Sequence, residues 1–261
     1  MVIGIIGGSG LYDIEGVAVE EIKKIETPFG IPSDSFRICD FSGKKIIFLP
    51  RHGSRHTIPP HRINYRANIW GFKELGVKRI ISLGAAGGIS PEMEPGTIIV
   101  PDQIIDMTKG REETFFEGGA GVVHIDLTDP YCTELRASIF SAGKRSGLKL
   151  KKSGTYICTN GPRLETKAEI KFFSAMGADV VGMTAMPEAS LAREAELCYA
   201  GISVITNYAA GITAKKLTAT EVMEVMNKTA ESLKTLLKDA LDLIPAERSC
   251  SCKTALKEAR I

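Results

Sequence analysis

At 261 residues, 44% hydrophobic and 25% charged, with a formal net charge of +2, the chain has the length for one α/β domain with a sizeable core. It has no charge excess to draw it to nucleic acid or an anionic membrane. No window reaches the ~18 apolar residues that span a bilayer and no charged leader precedes a cleavage site, so a cytoplasmic protein is expected. Six cysteines without a CxxC, and four histidines away from zinc-ligand spacing, give no reason to expect a metal.

In chain order, an apolar strand at 2–7 runs into Gly8-Ser9-Gly10, a turn whose free N–H groups and Ser9 hydroxyl suit an anion. A dinucleotide fingerprint would need a third glycine and a helix, but Leu11-Tyr12-Asp13 follows, and 14–30 shows alternation rather than a helical stripe. A second strand at 44–50 delivers Arg51, His52, Arg55 and His56 just past its carboxyl end, the edge where open α/β sheets bind ligands. A guanidinium fork beside imidazoles fits an inorganic oxyanion, although alone it reads equally as a solvated basic loop.

A helix is predicted over 62–75, closed by Gly76. A strand at 79–85 then enters GAAGGIS (84–90), a turn that lets a ligand approach the backbone. Strands follow at 97–101, 154–159, 178–184 and 202–207, with helices at 165–176 and 187–197, the latter placing Pro187 in its first turn. The last helix opens on Thr218-x-x-Glu221, patterned like a capping box, and carries the stripe Val222, Val225, Met226, Leu233, Leu236, Leu237 and Leu241. Continuous rather than alternating hydrophobicity in the strands places helices on both faces of a mixed, largely parallel sheet. No repeat or linker divides the chain, so one domain is expected over 1–245. A polar, peripheral tail follows at 246–261, with Cys250-Ser251-Cys252 as two thiols or one tight disulfide.

Taken together, IIGGSGLYD, PRHGSRHTIPPHRINYRANIW, PGTIIVPDQIIDMT, CTNGPRLETKAE, ADVVGMTAMPEASLAREAELCYA and ITNYAAG resemble the trimeric purine nucleoside and methylthioadenosine phosphorylases, in order along nearly the whole chain. The resemblance implies their α/β fold, with a distorted, barrel-like central sheet flanked by helices. It implies phosphorolysis: a purine nucleoside and inorganic phosphate give free purine and a ribose 1-phosphate, or its 5-methylthio analogue. Phosphate is then a substrate and no cofactor is needed. A homotrimer or dimer of trimers with sites near subunit borders is implied as well.

Carried over motif by motif, Ser9, Arg51, His52, the Ala85 backbone and Thr184 would hold phosphate. Met183 would lie against the ribose, with Leu164, Ala219 and Val222 around the nucleoside. His124 matches a histidine lent across the subunit interface toward the 5′ end of the sugar; taken alone it reads as a hydrogen-bonded core histidine. Gly84 departs from adenosine-type members, which carry a hydroxyl there. Cys132 and Cys198 lie in motifs that hold paired cysteines in some heat-adapted members, which implies a candidate second disulfide.

The base is addressed by two positions. In the resembled family, 6-oxopurine members carry Glu in the motif after GP where methylthioadenosine members carry Ser, and TN where the latter read TDYD. This chain has Glu165, Asn207 and, at the second acid's place, Ala209. A 6-oxopurine presents an acceptor at O6 and a donor at N1, which an Asn amide and a Glu carboxylate match. Asn207 and Glu165 are thus the candidate catalytic pair, whereas either alone would pass for a turn Asn or a helix-opening Glu. Ala219, Val222 and Met223 are small or apolar, which favours a 5′-methylthio group but leaves inosine, guanosine and methylthioinosine open. The alternatives are a methylthioadenosine phosphorylase and a nucleoside-binding protein without turnover.

Overall fold

The computed structural model describes residues 2–8, 17–118, 121–214 and 217–261. Its elements run β1 (Ile3–Gly7), β2 (Val17–Lys23), β3 (Phe36–Phe41), β4 (Lys44–Pro50), α1 (Tyr65–Glu74), β5 (Arg79–Gly88), β6 (Ile98–Ile99), β7 (Gln103–Asp106), α2 (Thr133–Arg145), β8 (Leu150–Lys151), β9 (Thr155–Cys158), α3 (Lys167–Ala175), β10 (Val180–Gly182), α4 (Ala185–Glu194), β11 (Cys198–Tyr208) and α5 (Ala219–Leu243). One mixed sheet holds the strands in the order β2-β3-β4-β1-β5-β10-β9-β7, with β11 on the other edge of β5 and β6 and β8 beyond it. The pairs β1–β4, β1–β5, β5–β11, β9–β10 and β7–β9 are parallel, and β5–β10 is antiparallel.

The central strands are buried on both faces, as their unbroken apolar runs require. On one face Ile5, Ile81 and Ile202 pack with Leu135 and Ile139 of α2 and with Leu233, Leu236 and Leu237 of α5. On the other, Ile6, Ile80 and Tyr199 meet Ile69 and Phe72 of α1 and Ala189 and Leu191 of α4. The α5 stripe is buried from Met226 through Leu241, with Val222 and Val225 half-buried, and the Thr218 hydroxyl accepts from the Glu221 N–H at its start.

Several elements depart from the sequence reading. The hairpin β2–β3 and helix α2 were not anticipated. β2 carries no buried side chain to signal it, and α2 is capped by Cys132, whose sulfur accepts from the Leu135 N–H, rather than by a usual capping residue. Helix α4 is interrupted at Met186 and Pro187, which are non-helical, so regular helix begins at Glu188; it ends at Glu194, ahead of Glu196 at φ 58°. The tail, expected to be peripheral, is docked. Arg79 donates to the Glu247 carbonyl at 2.7 Å, Cys252 is buried, and residues 259–261 pair with 122–124 through His124 N–H to Ala259 O at 2.8 Å and Ile261 N–H to Val122 O at 3.1 Å. Among the described residues no helix is long and apolar enough to cross a membrane.

Candidate active site

The site begins as a gap in the sheet. On one edge of β5, pairing with β1 ends at Leu83 and pairing with β10 begins at Gly87. Among the described residues, Gly84, Ala85 and Ala86 therefore have no strand neighbour on that side, and they line a cavity of about 460 Å³. Gly8, at the end of β1, and Arg51 and His52, at the end of β4, close the same corner, and Thr184 and Met183 reach it from the end of β10. A Cβ added at Gly84 would meet none of the described residues within 4 Å, so they leave space for the hydroxyl that is missing there.

Arg51 is held by more partners than a surface arginine could find. Its Nε donates to Glu188 Oε1 at 2.6 Å. Nη2 donates to Glu188 Oε2, the Ser82 hydroxyl and the Ile6 carbonyl, and Nη1 donates to the Leu83 carbonyl. The Tyr199 hydroxyl donates to the same Glu188 at 2.7 Å. The ion pair is sealed, at 1% and 0% side-chain exposure. Burial alone would lower the guanidinium pKa, but the Glu188 carboxylate overrides it and holds it above its ordinary value. The corner is therefore rigid and close to electrically neutral, with directed donors rather than loose charge.

His52 sits beside this pair with Nδ1 2.8 Å from the Ile58 carbonyl. That contact makes Nδ1 the donor in the neutral ring and leaves Nε2 as an acceptor, near Gly8. Burial, reinforced by the Arg51 charge, pushes its pKa down to about 4, so the imidazole is neutral near pH 7.

Asn207 and Glu165 line the same cavity. In β11 the register with β5 shifts between Ile205 and Asn207, a bulge that places Asn207 on the cavity wall. Its carbonyl accepts from the Thr206 hydroxyl at 2.9 Å and its amide donates to the Tyr208 carbonyl at 2.9 Å, which leaves one amide hydrogen to donate. Glu165 enters from the segment before α3, whose Thr166/Glu169 capping box fixes the helix start. Its Oε1 accepts from the Thr159 hydroxyl at 2.7 Å, leaving Oε2 for another donor. Leu164, Met183 and Val222 line the space between, and a contiguous chamber runs out past Val222, Ala219 and Met223.

Thus Arg51, His52, Ala85, Thr184, Met183, Leu164, Glu165, Asn207 and Val222 share one cavity, with Ala219 at its mouth. Ser9 lies outside the described residues. His124 is elsewhere, exposed in a shallow depression with Asp126, Thr254 and Lys257. The sequence reading overlooked Glu188, Ser82, Tyr199, Thr159 and Thr206, which orient the residues that line the cavity. One signal was available: an acid inside the apolar stretch AMPEASLA implies a buried cationic partner.

A cavity of this kind at a split sheet edge, lined by a buried arginine, a neutral histidine and the hydrogen-bonding side chains Asn207 and Glu165, suits a nucleoside-processing α/β enzyme. The chain belongs to the Phosphorylase superfamily, which matches residues 2–242. It is 50% identical over 258 residues to the probable S-methyl-5′-thioinosine phosphorylase of Thermodesulfovibrio yellowstonii, covering 98% of this chain and 96% of that one. It is 48% identical over 263 residues to the probable 6-oxopurine nucleoside phosphorylase of Thermococcus kodakarensis, covering 98% of each. Among solved structures, methylthioadenosine phosphorylase from Schistosoma mansoni in complex with adenine superposes with a TM-score of 0.94 at 32% identity, covering 99% of this chain and 98% of that one.

Proposed function

We propose that this protein cleaves 6-oxopurine nucleosides with inorganic phosphate, releasing free purine and ribose 1-phosphate or its 5-methylthio analogue. The observation that carries the reading is that Glu165 and Asn207 line the same cavity as Arg51 and His52. The free oxygen of Glu165 takes the purine N1–H, and the remaining amide hydrogen of Asn207 goes to O6 or N7. Phosphate sits against the open edge at Gly84 and Ala85, the Thr184 hydroxyl and Arg51. The Nε2 lone pair of neutral His52 accepts a hydrogen bond from the proton that the phosphate keeps.

Cleavage begins with loosening of the glycosidic bond. Positive charge builds on the sugar and negative charge on the purine, where Asn207 meets it. The phosphate supports the cation from the other side and then bonds to C1′. Donors already aimed at the developing charge contribute about 10²–10³ each in kcat. The apolar mouth formed by Ala219, Val222 and Met223 supports a 5′-methylthio group over a 5′-hydroxyl. A homotrimer or dimer of trimers is part of the proposal, with the exposed His124 of one subunit serving the sugar end of the next, and so is a role in cytoplasmic purine salvage.

The test is base release from inosine, guanosine, 5′-methylthioinosine and 5′-methylthioadenosine, with and without phosphate. Release that requires phosphate and yields one sugar 1-phosphate per base, with the 6-oxopurines ahead, is expected. Release without phosphate would overturn the reaction class, and a lead by methylthioadenosine would make that nucleoside the substrate.

A further inference from the structure

Four of the six cysteines, far apart along the chain, meet at one point on the side of the sheet covered by α2 and α5. Cys132 is the residue that caps α2, Cys198 is the first residue of β11, and Cys250 and Cys252 come from the docked tail. Their four sulfurs all lie within 4.8 Å of one another, and Cys198 Sγ is 3.3 Å from Cys250 Sγ. We propose that these four cysteines form a structural site for one zinc ion, which fastens the C-terminal tail to the body of the enzyme.

A tetrahedron of thiolates at the usual ~2.3 Å from zinc has sulfur–sulfur edges of about 3.8 Å, a value between the Cys198–Cys250 separation and the outer limit here. Two separate disulfides would need only two close pairs; here every sulfur lies near all three others. An all-sulfur donor set selects a soft or borderline ion such as zinc over magnesium or calcium.

The surroundings favour thiolates. Cys132 Sγ accepts from the Leu135 N–H at 3.5 Å, at the positive end of α2. The backbone around the cluster is fixed, with Cys132 N–H on the Tyr199 carbonyl at 2.8 Å and Cys198 N–H on the Lys78 carbonyl at 3.0 Å. Metal binding expels the thiol protons. Cys250 is half-exposed and gives an entry path, whereas the other three are buried.

None of the four lines the catalytic cavity, so the ion would be structural. Beyond the cluster the tail runs on to pair with residues 122–124, which include His124. Holding the tail therefore holds that segment.

The experiment titrates the reduced full-length protein with Co²⁺ under anaerobic conditions and then displaces it with Zn²⁺. Saturation at one Co²⁺ per chain, with intense thiolate-to-cobalt charge-transfer absorption lost on adding Zn²⁺, is expected. Zinc should also shield four of six thiols from modification, and the double variant Cys250→Ser/Cys252→Ser should lose the absorption while Cys39→Ala retains it. Absence of a saturable charge-transfer band would overturn the proposal. So would protein from zinc-replete cells that carries no zinc and has a mass four hydrogens lower, the mark of two disulfides. Hydrogen exchange gives a second readout: removing zinc should deprotect residues 249–261 and 122–124, and unchanged protection would remove the tail-fastening role.

Discussion

The part of the cavity proposed for phosphate is made of buried charge and strand backbone, whereas the part proposed for purine and sugar is made of side chains on loops and helix starts. Arg51 is 1% exposed and Glu188 0%, locked by four other groups; Leu164 and Met223, elsewhere on the cavity, are 51% and 43% exposed. On the proposed reading, reaction class is built into the sheet and substrate choice rests on side chains that hold little of the core together.

The largest break in this contrast should come from Glu188→Ala. It leaves the Arg51 charge buried without its partner, which costs about 3–5 kcal/mol and, for a chain of this size, of order 10 °C in Tm. A melting scan checks it, and a Tm unchanged within a degree would mean that the ion pair does not hold the corner. Trimming Leu164 or Met223 to Ala, by contrast, should leave Tm near that of the parent.

Next comes acid stability. His52 ordinarily titrates near 6.5 but is held at about 4 by burial and by Arg51, so the unfolded chain takes up this proton first as pH falls. The stability that neutral His52 contributes is therefore complete above pH 6.5 and lost between pH 6.5 and about 4, on the order of 3 kcal/mol in all. Denaturant unfolding of phosphate-free protein should show a shallower fall across that window in His52→Gln. An equally steep fall would place the titrating group elsewhere.

The smallest effect concerns the open edge of β5. Gly84→Thr adds a hydroxyl where there is room for it, and a further charge-assisted hydrogen bond should lower the KM for phosphate about 3- to 10-fold. A raised KM would show that the anion needs the bare backbone there.

The central strands and most helices were legible because burial on both faces writes continuous apolar runs, and burial on one face writes a stripe. β2 was not, since its side chains are half-buried or exposed. Helix α2 does carry a stripe, Leu135, Ile139 and Ala142, but a cysteine cap hid its start. In the site, the residues facing the cavity lie in glycine-rich or polar motifs at strand ends and could be named. Those behind them could not: Glu188 joins Arg51 across 137 positions, a pairing that only the packing of α4 on the sheet creates. The cysteine cluster was hidden for the same reason, because spacing rules see ligands that are neighbours in sequence, and these come from three distant segments. The bulge at Asn207 is likewise a property of the β5–β11 register.

The claim that Asn207 and Glu165 read a 6-oxopurine is tested most directly by one ratio. It is kcat/KM for 5′-methylthioinosine over kcat/KM for 5′-methylthioadenosine, measured in the parent and in Asn207→Asp. A site whose buried polar groups match one pattern leaves them unpaired with the other, so the parent ratio should reach about 10²–10⁴. Replacing the amide donor with a carboxylate acceptor should lower that ratio at least about 100-fold, chiefly through loss of kcat for the 6-oxo substrate. A ratio that is the same in both proteins would contradict the account, because the base would then be read by something other than Asn207.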